Sequence, residues 1–133
     1  MSTLAVATIK SASSSAPAIQ NTSGTEIGRF VRTWCRFKGT GTVTVNDSFN
    51  VSSVTDNGTG NYTVNFTNSF ANSNYAYSMG YTAPVNQGQS PQMHCLISSQ
   101  SANTGNINVG IFHPQQSGSF GRADCPRACV IIC

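Results

Sequence analysis

The sequence predicts an all-β fold, an antiparallel β-sandwich or barrel-like head that follows an extended N-terminal arm. Three observations predict it. From Arg29 onwards, apolar and polar residues alternate with a period of two, which is the pattern of half-buried strands. Turn-forming residues separate these alternating runs, and Asn57-Gly58 stands between the two clearest. No stretch shows the apolar spacing that is typical of an amphipathic helix.

Residues 1–28 are predicted to be an attachment arm. They contain no aromatic residue, SASSSAPA is typical of a linker, and NTSGTEIG is rich in turn residues. The scattered apolar residues, such as Leu4 and Val6, cannot form a core by themselves. We expect no secretory signal, because Lys10 follows the apolar part instead of preceding it. The predicted head then comprises residues 29–133.

The first run of the head, RFVRTWCRFK, has large apolar groups on both faces. One face carries Val31, Thr33, Cys35 and Phe37, and the other carries Phe30, Arg32, Trp34, Arg36 and Lys38. A sheet face that is open to water should be polar. We therefore expect one face to pack on the core and the other on a neighbouring subunit, with Phe30, Arg32, Trp34 and Arg36 at the interface. Two alternatives stay open, a solvated face with arginine stems packed on Trp34, and a contact with an anionic ligand.

The strongest local signal is a hairpin between Ser48 and Phe66. Phe49 and Val51 precede its turn, and Tyr62, Val64 and Phe66 follow it in alternation. Tight hairpin turns require positive φ angles, which both Asn and Gly tolerate. We expect this hairpin, closed at Asn57-Gly58, to lie at the centre of the head.

Further alternating runs complete a set of about eight short strands. Their apolar positions are Val43 and Val45; Tyr75, Tyr77, Met79 and Tyr81; Met93, Cys95 and Ile97; and Ile107, Val109 and Ile111. The segment ACVIIC is predicted to form the last strand, on which Cys129, Ile131 and Cys133 share one face.

The charge of the chain excludes several classes of protein. Charged residues make up 8 % of the sequence and the net charge is +3, which is too weak to predict a nucleic-acid partner. No apolar run approaches the roughly 20 residues of a membrane span. Of the four carboxylates, Asp47 and Asp56 lie beside turns, and no nucleophile motif accompanies them. We expect neither an enzyme nor a cofactor.

The five cysteines are an odd number, which suits thiols in a reducing cell better than a disulfide framework. Zinc requires four ligands at usable spacing, and His94 and Cys95 would point to opposite faces of a strand. No metal site is therefore predicted. Three cysteines close to the C-terminus, Cys125, Cys129 and Cys133, could be free thiols, a disulfide or metal ligands, and the sequence does not choose among these states.

The stretch from Trp34 to Tyr81 resembles a module of tail-fibre and other virion proteins of tailed bacteriophages from aquatic habitats. The similarity is carried by WCRFKGTGTVTVNDSFNVSSVTDNGTGNYTVNF and by NYAYSMGYT. In the arm, STLAVATIKS and IQNTSGTEIG are similar to the short β motifs of the family's attachment segment. The C-terminal DCPRACVIIC departs from the pattern, where a cysteine-poor strand is expected.

The resemblance implies a short tail fibre in the tail of the virion, made in the host cytoplasm and assembled as a homotrimer. Its arm would dock on a tail or baseplate protein, and its head would bind a glycan or lipopolysaccharide of the host surface. A purely structural tail or baseplate component is one alternative, and a lectin-like adhesin is another.

The two longest loops, residues 83–92 and 114–124, are the predicted host contacts. The candidate binding residues are Gln87, Gln89, Gln92, Phe120 and Arg122. Glutamine amides suit sugar hydroxyls, an aromatic ring can stack on a pyranose, and an arginine can meet an acidic group. Ordinary connecting loops are the alternative.

Overall fold

The computed structural model describes residues 8–10, 19–28, 30–82, 94–96, 101–114 and 120–133. These residues form eleven β-strands and no helix, which confirms the predicted all-β fold. The strands are β1 (Ile19–Gln20), β2 (Glu26–Gly28), β3 (Thr33–Lys38), β4 (Thr44–Phe49), β5 (Val51–Asp56), β6 (Asn61–Phe66), β7 (Tyr77–Thr82), β8 (His94–Leu96), β9 (Asn106–Pro114), β10 (Phe120–Arg122) and β11 (Arg127–Ile132).

The chain divides into two compact units, Met1–Val31 and Arg32–Cys133. In the first unit, β1 and β2 pair antiparallel, and the Asn21 side chain closes their loop by accepting bonds from the N–H groups of Ser23 and Thr25. Isolated two-stranded hairpins are marginally stable. The boundary between an arm of residues 1–28 and a head of residues 29–133 stays a prediction.

The second unit is a sandwich of two antiparallel sheets. One sheet has the strand order β4-β3-β11-β7, and the other has the order β10-β9-β6-β5, with β8 also pairing with β9. The inner faces of both sheets supply the buried core. Its strand residues are Cys35, Phe37, Tyr62, Val64, Phe66, Ile107, Val109, Ile111, Ala128, Val130 and Ile132. The rings of Phe37 and Tyr62 meet edge to face across the core, with centroids 5.1 Å apart.

The predicted hairpin is formed by β5 and β6, with Val54 opposite Val64. Its central position was wrong, because β5 is an edge strand of its sheet. The expected positive φ at Asn57 was also wrong. The loop takes its positive φ angles at Gly58 (109°) and Gly60 (59°), since the turn that closes it spans Gly58 to Asn61.

A kink at Asn50 separates β4 from β5 and sends them into different sheets. Asn50 has a φ of 58°, and its side-chain amide donates to the Thr33 hydroxyl at 2.9 Å and the Asn68 carbonyl at 3.1 Å. Its side-chain oxygen accepts the Asn68 N–H at 2.7 Å. As a result Val51 packs against the core, whereas Phe49 is 56 % exposed and belongs to the other sheet. Simple alternation through this segment does not predict that break.

Tyr77 follows the predicted alternation but is not buried. It was grouped with Tyr75, Met79 and Tyr81, which pack against the core, but it is 46 % exposed. Tyr77 begins β7, an edge strand, and lies opposite the buried Ile132. It therefore faces inward at the margin of the sandwich, where the second sheet does not cover it fully.

One buried tyrosine connects three segments at one end of the sandwich. The Tyr62 hydroxyl lies 2.7 Å from Asp124 Oδ1 and 2.9 Å from the Gly39 carbonyl oxygen. The same carboxylate oxygen accepts the Gly60 N–H at 2.7 Å. A Cβ atom at Gly60 would lie 2.7 Å from the Ala123 nitrogen, so the close approach requires glycine there. Burial and the neighbouring Asp124 raise the pKa of Tyr62 well above its ordinary value.

Candidate functional site

The candidate site is the outward side of the sheet β4-β3-β11-β7, which we call the outer face. Thr33, Cys35 and Phe37 of β3 are fully buried, so the intervening side chains of that strand point away from the core. The predicted division of this strand into two faces is therefore confirmed for residues 33–38. The same alternation holds on β11, where Cys129 and Ile131 point outward between the buried residues.

Three large apolar residues form a row across the outer face. Trp34 of β3 lies opposite Phe49 of β4 on one side and Ile131 of β11 on the other. Phe49 is 56 % exposed, Ile131 is 42 % exposed and Trp34 is half-buried. Neighbouring strands are about 4.8 Å apart, so the three side chains are contiguous. We call Phe49, Trp34 and Ile131 the apolar row.

Three exposed cations lie beyond the apolar row towards one end of the sheet, and we call them the basic band. Arg36 is two residues along β3 from Trp34, Lys38 ends that strand, and Arg127 begins the antiparallel neighbour β11. At about 3.3 Å per residue, the band begins roughly 7 Å from the row and extends to roughly 13 Å. Within the described part of the chain, none of these three side chains forms an ion pair.

Asp47 is the carboxylate in register with this band. It lies opposite Arg36 on β4, and its Oδ1 accepts the N–H of Ser48 at 2.9 Å. The outer face thus carries three cations against one carboxylate, on a chain whose net charge is +3. An exposed band of this kind attracts anions, and salt weakens that attraction.

The four residues predicted to form the subunit interface do not share one described surface. Trp34 and Arg36 are both on the outer face. Arg32 instead places its guanidinium 4.5 Å from the ring centroid of Phe70, so it stacks on that ring and not on Trp34. Phe30 belongs to the first unit and is 45 % exposed there. A contact between subunits at these residues stays a prediction.

Most of the predicted loop site lies outside the described residues. Gln87, Gln89 and Gln92 all fall there, and only the backbone of Phe120 is described, as the first residue of β10. Arg122 is exposed, but its guanidinium lies 4.8 Å from the Phe112 ring centroid and donates to the Gly60 carbonyl oxygen at 3.3 Å. Arg122 therefore already contacts its own domain.

Four cysteines in the described residues form no disulfide: Cys35, Cys125, Cys129 and Cys133. Cys35 is buried beneath the outer face, and burial raises the pKa of its thiol to about 12. No group of three or more His, Cys, Asp or Glu side chains within the described ranges is arranged to hold a metal ion. Cys129 is the half-buried thiol of the outer face, and Cys133, which follows β11, is exposed.

Sequence reasoning missed Phe49 and Ile131 as neighbours of Trp34. The alternation of ACVIIC does place Ile131 outward, but it does not reveal which strand lies beside β3. The strand order β4-β3-β11 brings together residues that are 15 and 97 positions from Trp34 along the chain. That order follows from the packing of the whole sandwich.

Comparison with known proteins identifies no relative. The chain matches no protein-family model, no curated protein and no solved structure. In the residues that the structure describes, we find no helix with the length and hydropathy needed to cross a membrane.

Proposed function

We propose that this chain is a structural protein of a phage virion, a short tail fibre that attaches by its N-terminal segment and presents the sandwich to the host surface. The outer face is the observation that carries the proposal. A sheet there displays an aromatic pair and an aliphatic residue beside three cations that form no ion pair with the described residues, on a molecule with few charges. Such a surface suits binding better than simple solvation.

The resemblance to tail-fibre proteins supports the same function. The resembling stretch from Trp34 to Tyr81 forms β3 to β6 and most of β7, so it supplies strands to both sheets. Its hairpin contributes no catalytic group and instead frames the domain. The proposed location is the tail of the virion, where the chain would contact a tail or baseplate protein and a host glycan or lipopolysaccharide.

We also propose that the fibre is a homotrimer. Five described apolar side chains of the first unit are exposed: Ile9, Ile19, Ile27, Phe30 and Val31. Their burial between protomers would stabilise an assembly. The number three comes from the resemblance to phage fibres, because composition does not distinguish three copies from two.

A purely structural tail or baseplate role is the second candidate. It is favoured by the apolar row, because exposed apolar side chains on a sheet also occur where subunits pack. In that case the outer face would be covered in the assembled particle and would not meet the host.

Antibody labelling of purified particles from the phage that encodes the chain tests the proposed function. We expect label at the tail, and blocking of adsorption by antibody fragments against the sandwich. A matched particle preparation from a phage lacking this gene should show no label. Label on the head shell, or none on any part of the particle, would contradict the tail-fibre assignment.

A further inference from the structure

We infer that the outer face binds an acidic polysaccharide, with sugar rings stacked on Trp34 and Phe49 and acidic groups bound by Arg36, Lys38 and Arg127. This inference rests on the proposed function, since it names the class of host-surface ligand. It also moves the binding surface from the loops, where the sequence had suggested it, to the face of a sheet.

The size of the apolar row argues for a small ligand. A fully buried aromatic side chain contributes about 150–250 Å² of surface. With Phe49 56 % exposed, Ile131 42 % exposed and Trp34 half-buried, the row offers on the order of 200–300 Å². A stable protein interface needs about 800 Å² on each partner. The row alone is too small to hold a second copy, but it is large enough for one or two sugar rings.

The aromatic side chains of the apolar row can stack on the apolar C–H face of a pyranose. Trp34 and Phe49 are direct cross-strand neighbours, so both aromatic side chains stand on the same face, on adjacent strands. Trp34 is held by burial of part of its side chain, and little further ordering is needed when a ligand binds.

The cations of the basic band favour a ligand that carries acidic groups. The basic band begins roughly 7 Å from Trp34 and extends to roughly 13 Å, so a chain of sugars on the apolar row would continue over it. Arg36 and Arg127 can each bind a carboxylate or sulfate in bidentate geometry, whereas Lys38 acts as a point charge. Three exposed cations without described ion-pair partners favour an anionic ligand over a neutral one.

Binding of the full chain to oligogalacturonides, which carry a carboxylate on every ring, tests the inference. Their methyl-esterified form is the matched neutral probe. We expect binding to the acid form that weakens as salt is added, and at least about tenfold weaker binding to the ester. Equal binding to both probes would overturn the inference.

Variants of the full chain locate the site. We expect Phe49→Ala and Trp34→Ala to weaken binding to the acid form by about tenfold. The double change Arg36→Gln with Arg127→Gln should weaken it as strongly and reduce its salt dependence. Tyr77→Ala, an exposed aromatic on the inward side, and Lys10→Gln, a cation of the first unit, are the matched controls and should have little effect. Unchanged binding in all outer-face variants would overturn the site.

Two further results would assign the outer face to another partner and overturn the inference. Light scattering of each variant measures its oligomeric mass, and a lower mass for Phe49→Ala would identify a contact between copies. Tighter binding of a thymidine oligonucleotide, lost in the same variants, would identify a nucleic-acid surface. Phe49, Arg36 and Arg127 are exposed, so their variants are expected to fold. They therefore still test the site if Trp34→Ala does not fold.

The binding test of this inference and the antibody test of the proposed function can give different results. If antibodies find the chain on the tail but the full chain does not bind oligogalacturonides, the acidic-polysaccharide inference fails and the fibre assignment stands. If the chain is absent from particles, the fibre assignment fails whatever the binding measurement gives.

Discussion

The two faces of strand β3 differ in how completely the sandwich determines their surroundings. Inward, Thr33, Cys35 and Phe37 have no exposed surface and meet the opposite sheet. Outward, Trp34 is half-buried and Arg36 and Lys38 are exposed. Packing in the core therefore determines the residues of the inner face. The residues of the outer face are accessible and can be selected for binding to a ligand. If so, substitutions on the two faces should affect different properties, stability in one case and binding in the other.

The largest expected difference is between two phenylalanines, one on each side of the same sheet. Phe37→Ala should lower the free energy of unfolding by about 3–5 kcal/mol, because it opens a cavity in the core beside Tyr62. Phe49→Ala, at a side chain 56 % exposed, should lower it by no more than about 1 kcal/mol. Urea denaturation measures both. Equal losses would show that the outer face is part of the folding core.

A tyrosine pair sharpens the same comparison. Tyr62→Phe should cost about 1–3 kcal/mol, because it removes the buried hydroxyl between Asp124 and the Gly39 carbonyl. Tyr77→Phe is the matched control, since Tyr77 is an exposed tyrosine at the margin of the sheet, and it should be nearly neutral. Thermal unfolding followed by circular dichroism suffices. A neutral Tyr62→Phe would mean that this end of the sandwich does not depend on the hydroxyl.

The hairpin offers a test of backbone geometry away from both faces. Gly58→Val should cost about 1–2 kcal/mol, because valine resists the φ of 109°. Asn57→Val should cost less, since Asn57 has no positive φ and loses mainly a solvent-exposed 2.8 Å bond to the Thr63 hydroxyl. Chemical denaturation of the two single variants decides the order. A larger loss of stability for Asn57→Val would instead support the positive φ at Asn57 that the sequence predicts.

The smallest expected effect, over the interval from pH 8 to pH 10, is a dependence of stability on pH through the thiol beneath the outer face. Burial raises the pKa of Cys35 in the folded chain from its ordinary 9.0 to about 12. Above pH 9 the unfolded chain therefore loses this proton first, and stability falls by about 1.4 kcal/mol per pH unit until about pH 12. Below pH 9 the thiol contributes no such dependence.

Cys35→Ala isolates that contribution. Unfolding in urea should be compared at pH 8 and pH 10 for the two proteins. The variant is expected to be less stable at both values and to lose about 1 kcal/mol less on going to pH 10. An identical fall in both proteins would contradict the raised pKa.

Period-two alternation was sufficient to predict the all-β fold and the orientation of most core residues. Thr33 to Phe37, Tyr62 to Phe66 and Ile107 to Ile111 each alternate as expected, because burial on one side of a strand directly selects residue type. It failed at Asn50, where hydrogen bonds of a single side chain stabilise a positive φ and end a strand. The alternation of apolar and polar residues does not predict this kink in the backbone.

The candidate site was less predictable than the fold, for a physical reason. Trp34 and Arg36 could be recognised on one strand, but Phe49, Ile131 and Arg127 become their neighbours only through strand order. Strand order depends on the packing of both sheets and on the kink at Asn50. The loop residues Gln87, Gln89 and Gln92 lie outside the described part of the chain, so their role stays a prediction.

A density map of the tail of the phage that we propose encodes the chain most directly tests whether the outer face is the binding surface of a virion protein. We predict density for the sandwich at the tail, with Trp34, Phe49 and the basic band facing solvent on its outer side. A map in which the apolar row is buried against another protomer or a baseplate protein would contradict that claim and favour the purely structural role.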